Sequence, residues 1–138
     1  MTINEKQDQI IDDFSISEDW FDRYAMLIDY GNELKPLEES KKTQQNLIEG
    51  CQSRVWINAY MSDDGNLLFE GDSDAIIVKG ILALLISILS GHKPAEILSA
   101  ELYSIDQIGM REHLSPTRSN GLASMIKTMR AYAIAYNK

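Results

Sequence analysis

From Ala75 to Leu89 the chain reads Ala-Ile-Ile-Val-Lys-Gly-Ile-Leu-Ala-Leu-Leu-Ile-Ser-Ile-Leu, and this run limits the fold more than any other stretch. A helix apolar on every side has to be surrounded by other elements. Its 15 residues fall short of the roughly 20 that a bilayer core requires, and Lys79 lies inside it. The run is therefore expected to be a buried central helix. Gly71-Asp72-Ser73-Asp74 precedes it and predicts an N-terminal cap, with Ser73 or Asp72 as the capping residue. Gly91 is the expected stop.

What precedes the helix alternates with the period of a strand. Val55, Ile57, Ala59 and Met61 fall on one face, and Arg54, Trp56, Asn58 and Tyr60 on the other. Ser62-Asp-Asp-Gly-Asn66 is a turn whose strongest element is Asp-Gly, and Leu67 to Gly71 reads as the returning strand. Residues 45–48 are a candidate short third strand. Helices surround this hairpin in sequence. Residues 5–14 place Ile10, Ile11 and Phe14 on one side, and Ser17 is the expected N-cap of a helix running to about Leu34. That second helix buries a stripe of Trp20, Tyr24, Leu27, Ile28 and Gly31, and Pro36 ends it. Residues 37–45 form a polar connection, and residues 94–112 hold one or two short helices. Ser115 and Pro116 open a last helix with Leu122, Met125, Ile126, Met129 and Tyr132 along one face. The class is α+β: a small antiparallel sheet packed against several helices, read as one domain over residues 1–138.

Composition narrows the partners. With 13 Lys and Arg against 21 Asp and Glu, the net charge is −8, which disfavours nucleic acid and anionic lipid. The N-terminal Asn-Glu-Lys-Gln-Asp-Gln lacks the apolar core of a signal peptide, and the reading is cytoplasmic. One cysteine excludes an intrachain disulfide, and with two unclustered histidines, His92 and His113, it does not supply a zinc or iron–sulfur ligand set. The glycines at 71, 80 and 91 lack the spacing of a phosphate loop.

Cys51 is left as the one side chain with strong intrinsic nucleophilicity near neutral pH. Its neighbours Glu49, Gly50, Gln52 and Ser53 are not those of a core cysteine. If Met61 pairs with Leu67, residue numbers across the ladder sum to 128 and Arg54 lies opposite Asp74. Cys51 then projects just past that end, beside the start of the apolar helix. The helix terminus favours a thiolate, whereas Glu49, Asp72 and Asp74 oppose one, so the sign of the shift stays open. Cys51 shares the parity of Val55 and Ile57, which tucks the sulfur toward the apolar face unless a bulge intervenes. Arg118, in the first turn of the last helix, is either held by Asp72 or Asp74 or solvated. The expected partner-binding surface comprises Glu49, Gln52, Arg54, Asp72, Asp74 and Arg118.

Three blocks, Asn46-Leu-Ile-Glu-Gly-Cys51-Gln-Ser-Arg-Val-Trp56, Gly71-Asp-Ser-Asp-Ala-Ile-Ile-Val-Lys-Gly80 and Leu114-Ser-Pro-Thr-Arg-Ser-Asn-Gly-Leu122, together resemble the SufE family of cysteine desulfuration proteins. The resemblance implies a fold shared with iron–sulfur scaffold proteins of the NifU type. It makes Cys51 the acceptor of persulfide sulfur from a cysteine desulfurase that carries pyridoxal phosphate, and it implies stimulation of that enzyme and delivery to an iron–sulfur assembly scaffold. The chain would need no cofactor of its own. Monomer and homodimer are both left open. Two other readings stand beside it: an adaptor that binds the desulfurase without accepting sulfur, and a cysteine hydrolase.

Overall fold

The computed structural model describes residues 1–48 and 53–137. Its elements are α1 (Ile3–Phe14), α2 (Trp20–Glu33), a 3-10 turn (Glu39–Lys41), β1 (Val55–Met61), β2 (Leu67–Ser73), α3 (Ile76–Leu89), α4 (Pro94–Ser99), α5 (Tyr103–Gln107), α6 (Met110–His113) and α7 (Pro116–Tyr136). The α+β expectation holds: one antiparallel hairpin packs against helices.

The apolar run forms α3, in which Val78, Ile81, Leu82, Leu84, Leu85, Ile88 and Leu89 are buried. Two glycines let α2 lie directly on it. A Cβ on Gly31 would stand 3.0 Å from the Gly80 backbone nitrogen, and one on Gly80 would stand 2.1 Å from the Leu27 carbonyl oxygen. The inner hairpin face, with Val55, Ile57, Ala59, Leu67 and Phe69 buried, closes the core together with α3 and α7. In α7, Leu122, Met125, Ile126 and Met129 are buried as their spacing predicts, and Tyr132 is half-buried.

The hairpin register is the expected one, from Met61 opposite Leu67 to Val55 opposite Ser73. The turn between the strands closes through the Ser62 N–H to the Asn66 carbonyl at 2.8 Å. Gly65 takes φ +85°, a left-handed conformation open to glycine at little cost. The third strand is reduced to a single bridge between Leu47 and Trp56. On the opposite edge the Leu67 N–H donates to the His92 carbonyl at 2.8 Å, so chain segments shield both hairpin edges where unpaired groups invite aggregation. The polar connection also has a role. It crosses the outer hairpin face, where Lys41 pairs with Glu70 at 2.8 Å and the Lys42 ammonium lies 5.5 Å from the centre of the Trp56 ring.

Several boundaries differ from expectation. Asp19, not Ser17, caps α2 by accepting the Phe21 N–H at 2.9 Å; the Ser17 hydroxyl instead accepts the Asp19 N–H and donates to Asp22. Neither Asp72 nor Ser73 caps α3. Strand β2 continues through Ser73, and the N-cap position falls to Ala75, which has no side chain able to accept a hydrogen bond. Residues 94–113 form three short helices rather than one or two, because the αL glycine at 109 separates α5 from α6.

Candidate functional site

Cys51, with Glu49, Gly50 and Gln52, lies outside the described residues; the chain on either side of them is firmly held. On the N-terminal flank the Ile48 N–H donates to the Val55 carbonyl at 2.8 Å, and the Ile57 N–H to the Asn46 carbonyl at 3.0 Å. The Tyr132 hydroxyl from α7 reaches the same place, 3.2 Å from the Ile57 carbonyl and 3.4 Å from Asn46 Oδ1. On the C-terminal flank the Arg54 N–H donates to Asp74 Oδ1 at 3.0 Å, and the Asp74 N–H returns to the Arg54 carbonyl at 3.2 Å. The expected juxtaposition of Arg54 with Asp74 is thus realised through the backbone of one and both backbone and carboxylate of the other.

Beside this clasp lies a groove of about 620 Å³, whose lining includes Ser53, Ile76, Ser115, Thr117 and Arg118. Two helix N-termini meet there. Helix α3 starts without a side-chain cap, and α7 starts at Ser115, whose hydroxyl accepts the Arg118 N–H at 3.3 Å. Helix N-termini carry partial positive charge, and the Arg118 guanidinium adds a full one. Arg118 and Asp74 are both exposed. Ile76 is 65% exposed at the groove wall; sequence reasoning missed it because it opens an apolar run in which every other position suggested burial.

Asp72 is placed differently from Asp74. It is only 7% exposed and faces inward, toward groups of its own chain. Its carboxylate accepts the Ser73 N–H at 2.8 Å and the Leu37 N–H at 3.3 Å, and pairs with Lys79 at 3.4 Å and Lys42 at 3.5 Å. Burial by itself raises the carboxyl, but the two N–H groups and the two ammonium charges outweigh it and hold it below the usual carboxylate range. Asp72 therefore ties α3, β2 and the crossing segment together, and does not hold Arg118, which makes no ion pair among the described residues. The Lys42 and Lys79 partners could not be read from sequence, since neither lies at a helical or ladder spacing from residue 72.

Among the described residues, no group of three or more His, Asp or Glu side chains is placed to hold a metal ion, and no helix is long and apolar enough to cross a membrane.

A family model described as "SufE: Fe-S metabolism associated domain" matches residues 8–133. The chain belongs to the SufE family. An uncharacterised SufE-like protein of Rhizobium etli is 45% identical over 130 residues, covering 91% of this chain and 88% of that protein. A second, from Rhizobium meliloti, is 42% identical over 130 residues, covering 91% and 93%. The fold matches the solution structure of a hypothetical protein from Thermus thermophilus with a TM-score of 0.77 over 96% of each chain at 20% identity. Membership in the SufE family associates the chain with iron–sulfur metabolism and sulfur transfer.

Proposed function

We propose that Cys51 accepts sulfur from the persulfide of a pyridoxal-phosphate-dependent cysteine desulfurase, stimulates that enzyme by clearing it, and carries the sulfur to iron–sulfur cluster assembly. What supports this reading is the setting of the described residues on either side of Cys51. Both flanks are hydrogen-bonded, and the C-terminal one opens onto a groove where two helix N-termini and Arg118 converge.

The chemistry asks little of the chain beyond one thiolate. Its sulfur attacks the terminal sulfur of the desulfurase persulfide. A new S–S bond forms at Cys51, the enzyme's S–S bond breaks, and the electron pair leaves with the enzyme's own cysteine sulfur as thiolate. Sulfur moves with no net oxidation or reduction, and the persulfide is a reversible cap that reverses by the same step. The two helix N-termini and Arg118 favour an attacking thiolate and a persulfide anion nearby, and the exposed Asp74 carboxylate opposes them. Hence the chain requires no cofactor of its own. Arg54, Asp74 and Arg118 are the described residues of the rim that meets the desulfurase, with Asp72 buried beneath it; Glu49 and Gln52 are the further contacts expected from the sequence.

Incubation with the desulfurase and cysteine tests the proposal. Intact mass is expected to rise by one sulfur atom, to return on reduction, and to stay constant in Cys51→Ser. Stimulation of the desulfurase that survives undiminished in Cys51→Ser, with no mass gain in the native chain, establishes an adaptor instead.

A further inference from the structure

We propose that the outward face of α7 is a second docking surface, built for an acidic segment with an apolar side, contributed by the protein that receives the sulfur. This rests on the carrier role above.

The face holds a groove of about 490 Å³, lined by Arg111, Ile126, Lys127, Arg130, Ala131 and Ile134, with no carboxylate among its lining residues. In a chain of net charge −8, Lys127 and Arg130 beside apolar side chains, with no carboxylate paired to either among the described residues, are a local reversal of sign. Arg111 pairs with Asp106 at the exposed edge of the face, which offsets its charge, and Arg130 is held by donating to the Ala100 carbonyl at 3.1 Å. Among the described residues Arg130 pairs with no carboxylate, and neither does Lys127. Ile134 is 65% exposed. Helix α7 packs one face on the core and turns Ala123, Ala131 and Ile134 outward beside Lys127 and Arg130.

The face is continuous with the described residues that lead toward Cys51. Lys127 and Ala131 also line an adjoining groove of about 640 Å³ that runs along Asn46 and Leu47 to Ile48. Ile48 is the last described residue before Cys51. The groove assigned to the desulfurase opens on the other flank, at Ser53. A carrier has to meet donor and recipient in turn, and separate surfaces at Ser53 and at Ile48, the described residues on either side of Cys51, allow that. Charge complementarity assigns the occupant: an acidic segment gains from Lys127 and Arg130, while its apolar side covers Ile134 and Ala131.

Two measurements on the full chain test this. The first is binding of a synthetic amphipathic glutamate–leucine peptide, compared with its lysine–leucine counterpart. The second follows labelled sulfur through loading by the desulfurase and delivery to an iron–sulfur scaffold. Lys127→Glu and Ile134→Asp are the variants, since both side chains are exposed and neither holds the fold. Only the acidic peptide is expected to bind, more weakly as salt rises. Each variant is expected to lower binding and delivery at least tenfold while loading stays within twofold. Equal binding of both peptides, or unchanged binding in both variants, overturns the proposal. So does a parallel fall in loading and delivery, which would assign the face to the desulfurase. A third outcome also overturns it: a dimer in sedimentation equilibrium that both Lys127→Glu and Phe21→Asp dissolve. Phe21 and Ile16 are 85% and 84% exposed beside Asp19 and Asp22, and that result would make a second copy the occupant. Absence of sulfur on native Cys51 would refute the carrier role separately, and peptide binding would still decide whether the groove takes an acidic segment.

Discussion

Arg54 and Asp74 clasp each other by two hydrogen bonds, Arg54 N–H to Asp74 Oδ1 at 3.0 Å and Asp74 N–H to the Arg54 carbonyl at 3.2 Å. The pair closes the open end of the hairpin immediately after the stretch holding Cys51. One of the bonds is backbone to backbone and survives any side-chain change. The other depends on the Asp74 carboxylate, which therefore has two separable properties, an acceptor oxygen and a charge.

Asp74→Asn keeps an acceptor and removes the charge, whereas Asp74→Ala removes both. Thermal denaturation is expected to place Asp74→Asn near the native chain and Asp74→Ala about 1 kcal/mol below it. On the proposed docking rim, desulfurase affinity is expected to change in both, and most in Asp74→Arg, which reverses the charge. Equal affinity in all three variants would remove Asp74 from the docking rim.

At Asp72 the expected effect is on stability and its pH dependence. Its depressed carboxyl contributes stability that is fully present above the ordinary value of 3.8 and is lost as pH falls through the lower folded value. Asp72→Asn leaves Lys42 and Lys79 without their shared partner and is expected to cost about 2 kcal/mol at neutral pH. The gap to the native chain should close as the pH falls below the ordinary Asp range. Urea denaturation at neutral and acid pH measures it; a gap independent of pH would mean that the charge is not what holds these segments.

The contrast between residues 72 and 74 also marks where the sequence was legible. A hairpin with an Asp-Gly turn has one favourable register, so Met61 opposite Leu67 determined Arg54 opposite Asp74 without any tertiary information. The amphipathic face of α7 and its Ser115-Pro116 start followed from local rules in the same way. Asp72 did not, because ending β2 at Gly71 made the next residues look like a helix cap. Two further ladder pairs turn Asp72 toward Lys42, whose position depends on how residues 37–42 cross the sheet. That crossing is set by pairs such as Lys41 with Glu70, which carry no sequence periodicity. The uncovered groove on α7 was hidden for a related reason: its exposed residues, Lys127, Ala131 and Ile134, fall between the positions that betray a core face.

Tyr30 offers a test at alkaline pH. Burial first, and then the Asp13 carboxylate, push its hydroxyl up to about 12. In the unfolded chain it ionises near 10. The contribution of Tyr30 is constant below that value and is lost as pH rises through the folded value. Absorbance titration is expected to show a late-ionising tyrosine that Tyr30→Phe removes, and Tyr30→Phe should soften the loss of stability between about 10 and 12. An unaltered titration curve in the variant would assign the late step to another tyrosine.

The most damaging small change should be Gly80→Ala. The added methyl is minor chemically, and alanine is the better helix former by about 1 kcal/mol, so an isolated α3 would gain from it. In the folded chain the new Cβ would stand 2.1 Å from the Leu27 carbonyl oxygen and 2.6 Å from its carbon. These are backbone atoms inside α2 and cannot rotate aside, so the helices must separate along their whole contact. Overpacking of this kind costs about 3 kcal/mol, which outweighs the propensity gain. At Gly31 the nearest atom to a new Cβ is the Gly80 nitrogen at 3.0 Å, a contact that a few tenths of an ångström relieve, so Gly31→Ala should cost less. Gly65, with no atom within 4 Å of its Cβ position but φ +85°, should lose only about 1 kcal/mol on substitution by alanine. Denaturation midpoints are expected to fall in the order Gly80→Ala, Gly31→Ala, Gly65→Ala, from the largest loss to the smallest. If Gly80→Ala matched the native chain, α2 and α3 could not cross as closely as these glycines allow, and the groove walled by the start of α3 would have to be redrawn.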